Sequence, residues 1–361
     1  MFSMPRLILD NFKGIVKGSI NLGRVNILLG GNNSGKSTIL ESLFLIPNPI
    51  RFVPYSYQSD KKLHQFRAAE VIQELHKTLD SKGFIFLLNN YRAKKASVKL
   101  ELEKGAYSLF LHLINDSINV ELSKNIGGVT TYYKDVYLKK YSTDIVIRKS
   151  LPLKEEATNV LSSKIIDMDL GDFLYFHFDL VKYAWNFFSQ KWAEIAGPET
   201  TAYVAEYLQK VFLEKYQDLT MEPFGEGRMA LYVYLEGGQR VRLGDLGDGA
   251  KLLVTLMMLY QISHPKWLLI DDIEAHMNPR MLTFLAKWLY DLCQNGVNLV
   301  MSTHSIEATK LLADILEDFD PKISLLGLRN GELVVREFSL ADIEELEESG
   351  IDVRVSEGIL L

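Results

Sequence analysis

Residues 30–37 read GGNNSGKS, which fits the phosphate-loop pattern G-x-x-x-x-G-K-[ST] at every position. A β-prone apolar run at 25–29 precedes the loop, and residues 37–44 have the spacing of a helix. In this order of strand, glycine-rich loop and helix, backbone N–H groups and the helix N-terminus face a polyphosphate. The sequence therefore predicts a nucleoside triphosphate site; a chance glycine turn is the less favoured interpretation.

The loop supplies most of the predicted cofactor contacts. Lys36 is expected to reach the β- and γ-phosphates, and the Ser37 hydroxyl is expected to bind Mg²⁺. The other candidates lie in the loop or the first helical turn and are Gly30, Asn32, Asn33, Ser34, Gly35 and Thr38.

Composition limits the class of protein. The chain has 361 residues, is 47% hydrophobic and carries a formal net charge of −6, which leaves room for a local basic face only. Its single cysteine, Cys293, excludes an internal disulfide framework. We find neither a signal peptide nor an apolar run of the ~18 residues that a membrane span needs. We therefore expect a cytoplasmic protein with no membrane contact.

The chain is predicted to fold in three parts. Residues 1–154 form an N-terminal lobe, in which a β-hairpin feeds the phosphate loop, 60–80 have helical spacing and 84–153 form short alternating strands. Residues 155–225 are interpreted as a helical insertion. Its nine aromatic residues between 173 and 192 indicate a buried core or, alternatively, a partner-binding or base-stacking surface.

Residues 226–361 are predicted to form a C-terminal α/β lobe. A hairpin is followed by alternating helices and strands at 249–262, 266–271, 278–294, 297–302, 305–317 and 322–328. Such alternation builds a parallel sheet flanked by helices. A hairpin around 329–332 follows, and Ser339 with Asp342 forms a capping box for the last helix.

Two apolar strands of this lobe end in polar groups. The first ends in Asp271, the expected ligand of the Mg²⁺ shell, and Asp272, which could polarise a water molecule. Both could instead be helix-capping acids. The second strand ends at His304, which is placed to sense a γ-phosphate or, alternatively, is a capping or core histidine.

The motifs GGNNSGKST, LGDLGDGAKLL, LLIDDIEAHMNPR and MSTHS, in this order, resemble those of the ABC-type ATPase heads of the SMC, RecF and OLD-like group. The opening segment through the phosphate-loop helix also resembles these heads. The resemblance implies an α/β P-loop NTPase fold, with a mixed sheet flanked by helices, an antiparallel β lobe and a helical insertion. It implies ATP and Mg²⁺ as cofactors.

The resemblance also implies residue roles. Asp271 matches the Walker B acid, Asp272 stands where a catalytic glutamate is usual, and Glu274 matches a recurrent acid of the OLD-like branch. His304 matches the switch histidine, and residues 275–278 match the loop that crosses to a second subunit.

The resemblance further implies a homodimer around two ATP molecules. The signature segment with Gly247, Asp248 and Gly249 would offer its amides to the γ-phosphate bound by the partner. Gly247 replaces the usual serine there. Asp272 is one methylene shorter than glutamate, which moves its carboxylate away from the attacking water. Because a misplacement near 1 Å can cost ~100-fold in rate, we expect slow hydrolysis. Glu274 is the alternative base.

The interval between the first motif and the signature lacks sustained heptads, which favours a compact head without coiled coil. A nuclease or other effector would then be a separate chain. Gln58 and Gln65 are candidates for a metal-contacting glutamine or are simply surface residues.

Two functions remain open at this point. The first is an ATP-driven dimerising ATPase that acts on DNA in repair, chromosome handling or defence. The second is an ATP-switched protein-interaction module that controls a separate effector.

A basic stretch would supply the DNA contacts of the first function. Residues 84–154 contain twelve Lys or Arg against six Asp or Glu. The contacts to DNA phosphates would come from Arg92, Lys94, Lys95, Lys99, Lys139, Lys140, Arg148 and Lys149. Alternatively, these residues line a solvated strand face. A small-molecule kinase and a transporter ATPase fit the motifs less well.

Overall fold

The computed structural model describes residues 4–60, 62–126, 129–147, 173–212, 215–225 and 228–351. The strands are β1 Arg6–Phe12, β2 Ile15–Asn21, β3 Val25–Leu29, β4 Phe52–Ser59, β5 Lys62–Arg67, β6 Lys95–Leu102, β7 Gly105–Ile114, β8 Ser117–Ile126, β9 Val129–Lys139, β10 Ile145–Ile147, β11 Phe173–Phe176, β12 Tyr216–Gly225, β13 Arg228–Leu235, β14 Arg240–Arg242, β15 Trp267–Ile270, β16 Asn298–Ser302, β17 Lys322–Arg329 and β18 Glu332–Phe338. The α-helices are α1 Lys36–Leu45, α2 Ala68–His76, α3 Val181–Ile195, α4 Tyr203–Phe212, α5 Asp248–Ser263, α6 Pro279–Gln294, α7 Ile306–Ile315 and α8 Leu340–Glu348.

One mixed sheet organises the molecule. Thirteen strands follow the order β10-β9-β8-β7-β6-β1-β2-β18-β17-β3-β16-β15-β11. Strands β17, β3, β16, β15 and β11 run parallel, and β3 and β15 are buried along their whole length. Burial on both faces explains why these strands are continuous apolar runs in the sequence.

The antiparallel part of the sheet is the β lobe predicted for residues 84–153. Strands β6 to β10 pair as neighbours in sequence, and β6 joins β1 of the phosphate-loop hairpin. Along β6, Ala96, Val98 and Leu100 are buried whereas Lys95 and Lys99 are exposed. This alternation is typical of a sheet with one solvated face.

The helical prediction for 60–80 was only partly right. Residues 68–76 are helical, but β5 pairs with β4 as an antiparallel hairpin. Pro54 lies where the register of that hairpin shifts, as expected for a residue that cannot donate to a strand ladder. Pairing with a partner strand outweighed the local spacing of apolar residues.

The interpretation of 155–225 as helical was wrong at the beginning and at the end of the part that the structure describes. Phe173–Phe176 is a buried strand of the main sheet, and Tyr216–Gly225 pairs with β13. A short fully buried strand has no alternation that would separate it from a helix. Most aromatic residues between 173 and 192 are buried or packed against the core, which favours the core interpretation. Residues 155–172 lie outside the described part, and the division at 154 and 225 stays a prediction.

The C-terminal lobe follows the predicted alternation closely. Helices α5, α6 and α7 connect the strands that were expected, and β17 and β18 form the hairpin at 329–332. Helix α8 begins after Ser339, whose N–H donates to Asp342 Oδ2 at 2.7 Å, and this confirms the capping box. Among the described residues, every helix is too short or too polar to cross a lipid bilayer.

Candidate nucleotide-binding site

The loop between β3 and α1 has the backbone of a phosphate cradle. Gly30, Asn33 and Gly35 have φ values of 149°, 64° and 101°. A Cβ on Gly30 would lie 2.6 Å from the carbonyl oxygen of Leu326, so only glycine fits there. Helix α1 begins at Lys36 with Gly35 as its N-cap, and the first N–H groups of a helix are free to bind an anion.

Lys36 is folded against its own loop. Its side chain is buried, and its Nζ donates to the carbonyl oxygens of Gly30 at 2.7 Å and Gly31 at 2.9 Å. The remaining loop candidates differ in burial: Ser34 is buried, Thr38 is half-buried, and Asn32, Asn33 and Ser37 are exposed. Hydroxyl, amide and backbone donors are therefore available around one buried ammonium group.

The strand order brings three motifs to one edge of the sheet. Strand β16 lies between β3 and β15, with Ser302 opposite Leu28 and Met301 opposite Ile270. Because parallel strands end at the same edge, the phosphate loop, Asp271 and His304 follow neighbouring strand ends. The three segments therefore lie side by side, and the roles of their residues stay a prediction.

Two hydroxyl groups hold the carboxylate of Asp271. The Tyr175 hydroxyl donates to Oδ2 at 2.9 Å, and the Ser302 hydroxyl donates to Oδ1. Burial and the adjacent Asp271 carboxylate raise the pKa of Tyr175 well above its usual value, so the phenol stays protonated and donates. Sequence reasoning did not assign either hydroxyl; Ser302 lies inside the MSTHS motif, which is a signal that could have found it.

Asp272 and His304 form a partly exposed pair. His304 Nε2 lies 3.7 Å from Asp272 Oδ1, and the backbone N–H of Asp272 donates to Ser302 Oγ at 2.8 Å. Burial raises the pKa of the Asp272 carboxyl, Asp271 raises it further, and His304 opposes the change. A carboxylate of raised basicity beside an imidazole can accept a proton from water.

Glu274 makes a different contact. Its Oε1 accepts a 2.7 Å hydrogen bond from the backbone N–H of His304. Its Oε2 is buried and has no hydrogen-bond partner among the described residues. Glu274 therefore connects the segment after β15 to the segment after β16.

The signature segment lies against the loop that follows β15. Gly247, with φ 95°, is the N-cap of α5, and exposed Asp248 pairs with Lys251 at 2.5 Å. Gly249 is buried, and a Cβ there would meet Met281 Sδ at 2.7 Å and the His276 carbonyl oxygen at 3.0 Å. Gly249 thus contacts the loop at 275–278.

A family model described as "AAA domain, putative AbiEii toxin, Type IV TA system" matches residues 25–309. This chain belongs to that family. The match spans the phosphate loop, the signature, Asp271 and His304, and it confirms the expected class of P-loop ATPase. No curated protein matches the chain.

This AAA-domain protein is also similar to solved structures of SMC heads. The SMC head domain from Thermotoga maritima is 14% identical, with a TM-score of 0.46 over 93% of this chain and 99% of that one. The Smc head domain with an extended coiled coil, bound to the C-terminal domain of ScpA and derived from Pyrococcus furiosus, is 13% identical, with a TM-score of 0.48 over 96% and 99%. A Pyrococcus yayanosii Smc head with a coiled coil and joint has the same identity and TM-score over 96% and 100%.

A second polar cluster lies behind the phosphate loop of this AAA-domain protein. Lys13 contacts buried Glu41 of α1, and His76 Nε2 lies 2.6 Å from Lys13 Nζ and 2.7 Å from Glu41 Oε1. Burial and the Lys13 charge lower the pKa of His76 to about 4, so its ring is neutral at physiological pH. Lys13, His76 and Asn33 line a cavity of about 520 Å³ together with Phe86. Sequence reasoning did not predict this cluster.

The predicted basic residues gather mainly at one end of the β lobe. Lys94 and Lys95 lie where β6 begins, and Lys139 and Lys140 lie where β9 ends. Backbone hydrogen bonds hold the start of β6 and the end of β9 in place. The Leu113 N–H donates to the Lys94 carbonyl oxygen, and the Lys140 N–H donates to the Asp116 carbonyl oxygen. Arg92 precedes β6, Lys99 lies farther along it beside Glu101, and Arg148 and Lys149 lie outside the described residues.

The two candidate glutamines lie in the β4–β5 hairpin. Gln65 donates to the Val53 carbonyl oxygen at 2.9 Å, and Gln58 is exposed. A metal-contacting role for either residue stays a prediction.

Proposed function

We propose that this protein binds ATP with Mg²⁺, hydrolyses it slowly, and closes as a homodimer around two ATP molecules. The observation that carries this proposal is the arrangement of three neighbouring strand ends, which gathers the phosphate loop, Asp271 and the Asp272–His304 pair at one edge of the sheet. The membership of the AAA-domain family supports it.

The residues at this edge suit ATP with Mg²⁺. Magnesium favours oxygen ligands, and the exposed Ser37 hydroxyl and the Asp271 carboxylate are such groups. When bound, the ion would neutralise charge on the β- and γ-phosphates. Lys36 would turn from its loop carbonyls to the same phosphates. The adenine and ribose of ATP would enter the cavity that Asn33 and Lys13 line.

Asp272 is the better candidate for the base. The Asp272 carboxylate is partly exposed and its pKa is raised, whereas Oε1 of Glu274 accepts from the His304 backbone and Oε2 is buried. His304 would contact the γ-phosphate and hold the water that Asp272 polarises. The short aspartate side chain supports slow turnover.

Dimer closure is supported by the contact between the signature and the loop after β15. Gly247, Asp248 and the first turn of α5 would meet the γ-phosphate bound by the partner. Because Gly249 packs on His276, the signature and the 275–278 loop would reach the partner as one unit.

A size measurement tests the core of the proposal. The Asp272→Asn chain, which should bind ATP without turning it over, is expected to elute as a dimer with ATP and Mg²⁺ and as a monomer without them. Lys36→Ala is the control and is expected to stay monomeric. If Asp272→Asn binds ATP but remains a monomer, the dimer is excluded.

We further propose that the β lobe contacts DNA. The cluster of Arg92, Lys94, Lys95, Lys139 and Lys140 would make salt-sensitive contacts to phosphates. Replacing Lys139 and Lys140 by Glu is expected to weaken duplex binding and flatten its dependence on salt. Lys99→Glu, at a cation already paired with Glu101, is the matched control. Equal binding by both variants would rule out this surface.

A groove favours the alternative, an ATP-switched module that holds a protein effector. Tyr207, Lys210, Phe284, Lys287 and Tyr290 line a cavity of about 560 Å³ between α4 and α6. Nucleotide-dependent dimerisation without any DNA binding at low salt would favour this second function over the first.

A further inference from the structure

Tyr175 reaches the proposed metal site from outside every recognised motif. It lies on β11, opposite Leu269 of β15, and its side chain is 1% exposed. Its hydroxyl ends on Asp271 Oδ2 at 2.9 Å, while Ser302 occupies Oδ1. Asp271 is therefore held at both oxygens by hydroxyl donors.

The two hydrogen bonds leave some lone-pair sites of the Asp271 carboxylate open to a further donor. An ionised carboxylate has about four lone-pair sites, and the two hydroxyls use two of them. The remaining sites can accept from a water molecule in the Mg²⁺ shell. The two donors fix the plane of the carboxylate and thereby the direction of those free sites.

Tyr175 also contacts the element that carries the other proposed metal ligand. Its ring centroid lies 5.5 Å from that of Phe44 on α1, the helix whose first turn contains Ser37. Its carbonyl oxygen accepts a 2.6 Å hydrogen bond from Tyr55. The Tyr55 hydrogen bond holds the backbone of Tyr175, whereas its ring is positioned by packing against Phe44 and by the hydrogen bond to Asp271.

We propose that Tyr175, together with Ser302, is a positioning residue that orients Asp271 toward the Mg²⁺ of bound ATP. This inference rests on the proposed function. Partners of this kind orient the groups that bind a metal, and their loss typically costs ~10–100-fold in metal affinity.

The test is a Mg²⁺ titration of the binding of a fluorescent ATP analogue to the full chain. For Tyr175→Phe, we expect the Mg²⁺ midpoint to rise by ~10–100-fold, with unchanged binding in EDTA. Tyr55→Phe is the matched control, because it also removes a buried tyrosine hydroxyl, but one that donates to a backbone carbonyl and not to Asp271. Its Mg²⁺ midpoint should equal that of the wild type.

Equal midpoints for Tyr175→Phe and the wild type would overturn the inference and leave the proposed function standing. If Tyr175→Phe does not fold, Ser302→Ala carries the same expectation and the same refutation. A wild-type chain whose analogue binding does not respond to Mg²⁺ would instead overturn the proposed function, and the inference with it.

Discussion

The backbone N–H of His304 donates a 2.7 Å hydrogen bond to Oε1 of Glu274. The contact joins the ends of two neighbouring parallel strands, and a carboxylate acceptor makes such a bond stronger than a neutral one. Glu274 therefore fixes the position of the His304 backbone, and through it the distance from the imidazole to Asp272.

This contact predicts different results for two substitutions of Glu274. Glu274→Gln keeps an oxygen acceptor, so most of the ATPase turnover should remain. Glu274→Ala leaves the His304 N–H without its acceptor and should lower turnover by up to ~100-fold through misplacement. Steady-state ATPase rates measure both. If Glu274→Gln abolished turnover while Asp272→Asn preserved it, Glu274 would be the base.

The pH dependence of turnover should report Asp272. A base must be deprotonated, so activity is lost as the pH falls through the pKa of the folded state, which lies above the usual 3.8. His304 lowers this pKa, so His304→Gln should move the acid limb of the turnover profile to higher pH. The limb is located from the turnover of each chain relative to its own maximum across the pH range. An unmoved limb would contradict the pairing.

Asp272→Asn should also stabilise the protein. When a carboxyl has a higher pKa in the folded than in the unfolded state, its ionisation destabilises the folded protein. This loss of stability develops as the pH rises from the unfolded-state pKa to the folded-state pKa, and it is complete above the folded-state pKa. At neutral pH the variant removes this penalty, with a gain of at most about 1 kcal/mol because the site is partly solvated. Thermal melts should show the gain shrinking as the pH is lowered.

Asp248 provides the matched control for that measurement. The Lys251 ammonium lowers the pKa of Asp248, so the ionised Asp248 carboxylate stabilises the folded protein instead of destabilising it. Asp248→Asn should therefore bring no gain in melting temperature at neutral pH. Equal stabilisation by both variants would point to a general effect of net charge and contradict the local explanation.

The motif-bearing strand ends could be predicted because their signal is local. Each of the segments ending at Gly30, Asp271 and His304 is an apolar run followed by polar residues, and parallel strands must end at one edge. The same reasoning located α5, α6 and α7 to within a few residues. Local patterns were sufficient wherever one strand and one helix alternate.

Contacts between distant segments could not be predicted in this way. Tyr175 lies 96 residues from Asp271, and its strand is an apolar aromatic run with no alternation. The Lys13–Glu41–His76 cluster likewise draws on a turn and two helices. Each of these residues alone looks like an ordinary surface or core residue, and only the pairing of strands and helices gives it a neighbour.

The last prediction concerns Gly249, the signature glycine that packs on the loop after β15. A methyl group there would meet Met281 Sδ at 2.7 Å and the His276 carbonyl oxygen at 3.0 Å. The methionine can shift but the backbone carbonyl cannot, so Gly249→Ala should cost about 1–3 kcal/mol of unfolding free energy. It should also displace the 275–278 loop and weaken ATP-dependent dimerisation.

Gly244 offers the matched control in the same segment. A Cβ at Gly244 has no heavy atom within 4 Å, so Gly244→Ala should leave both the melting temperature and the dimer unchanged. Thermal melts and size measurements with ATP and Mg²⁺ compare the two variants directly. If Gly249→Ala matched Gly244→Ala in both, the contact with His276 would have no part in holding the signature.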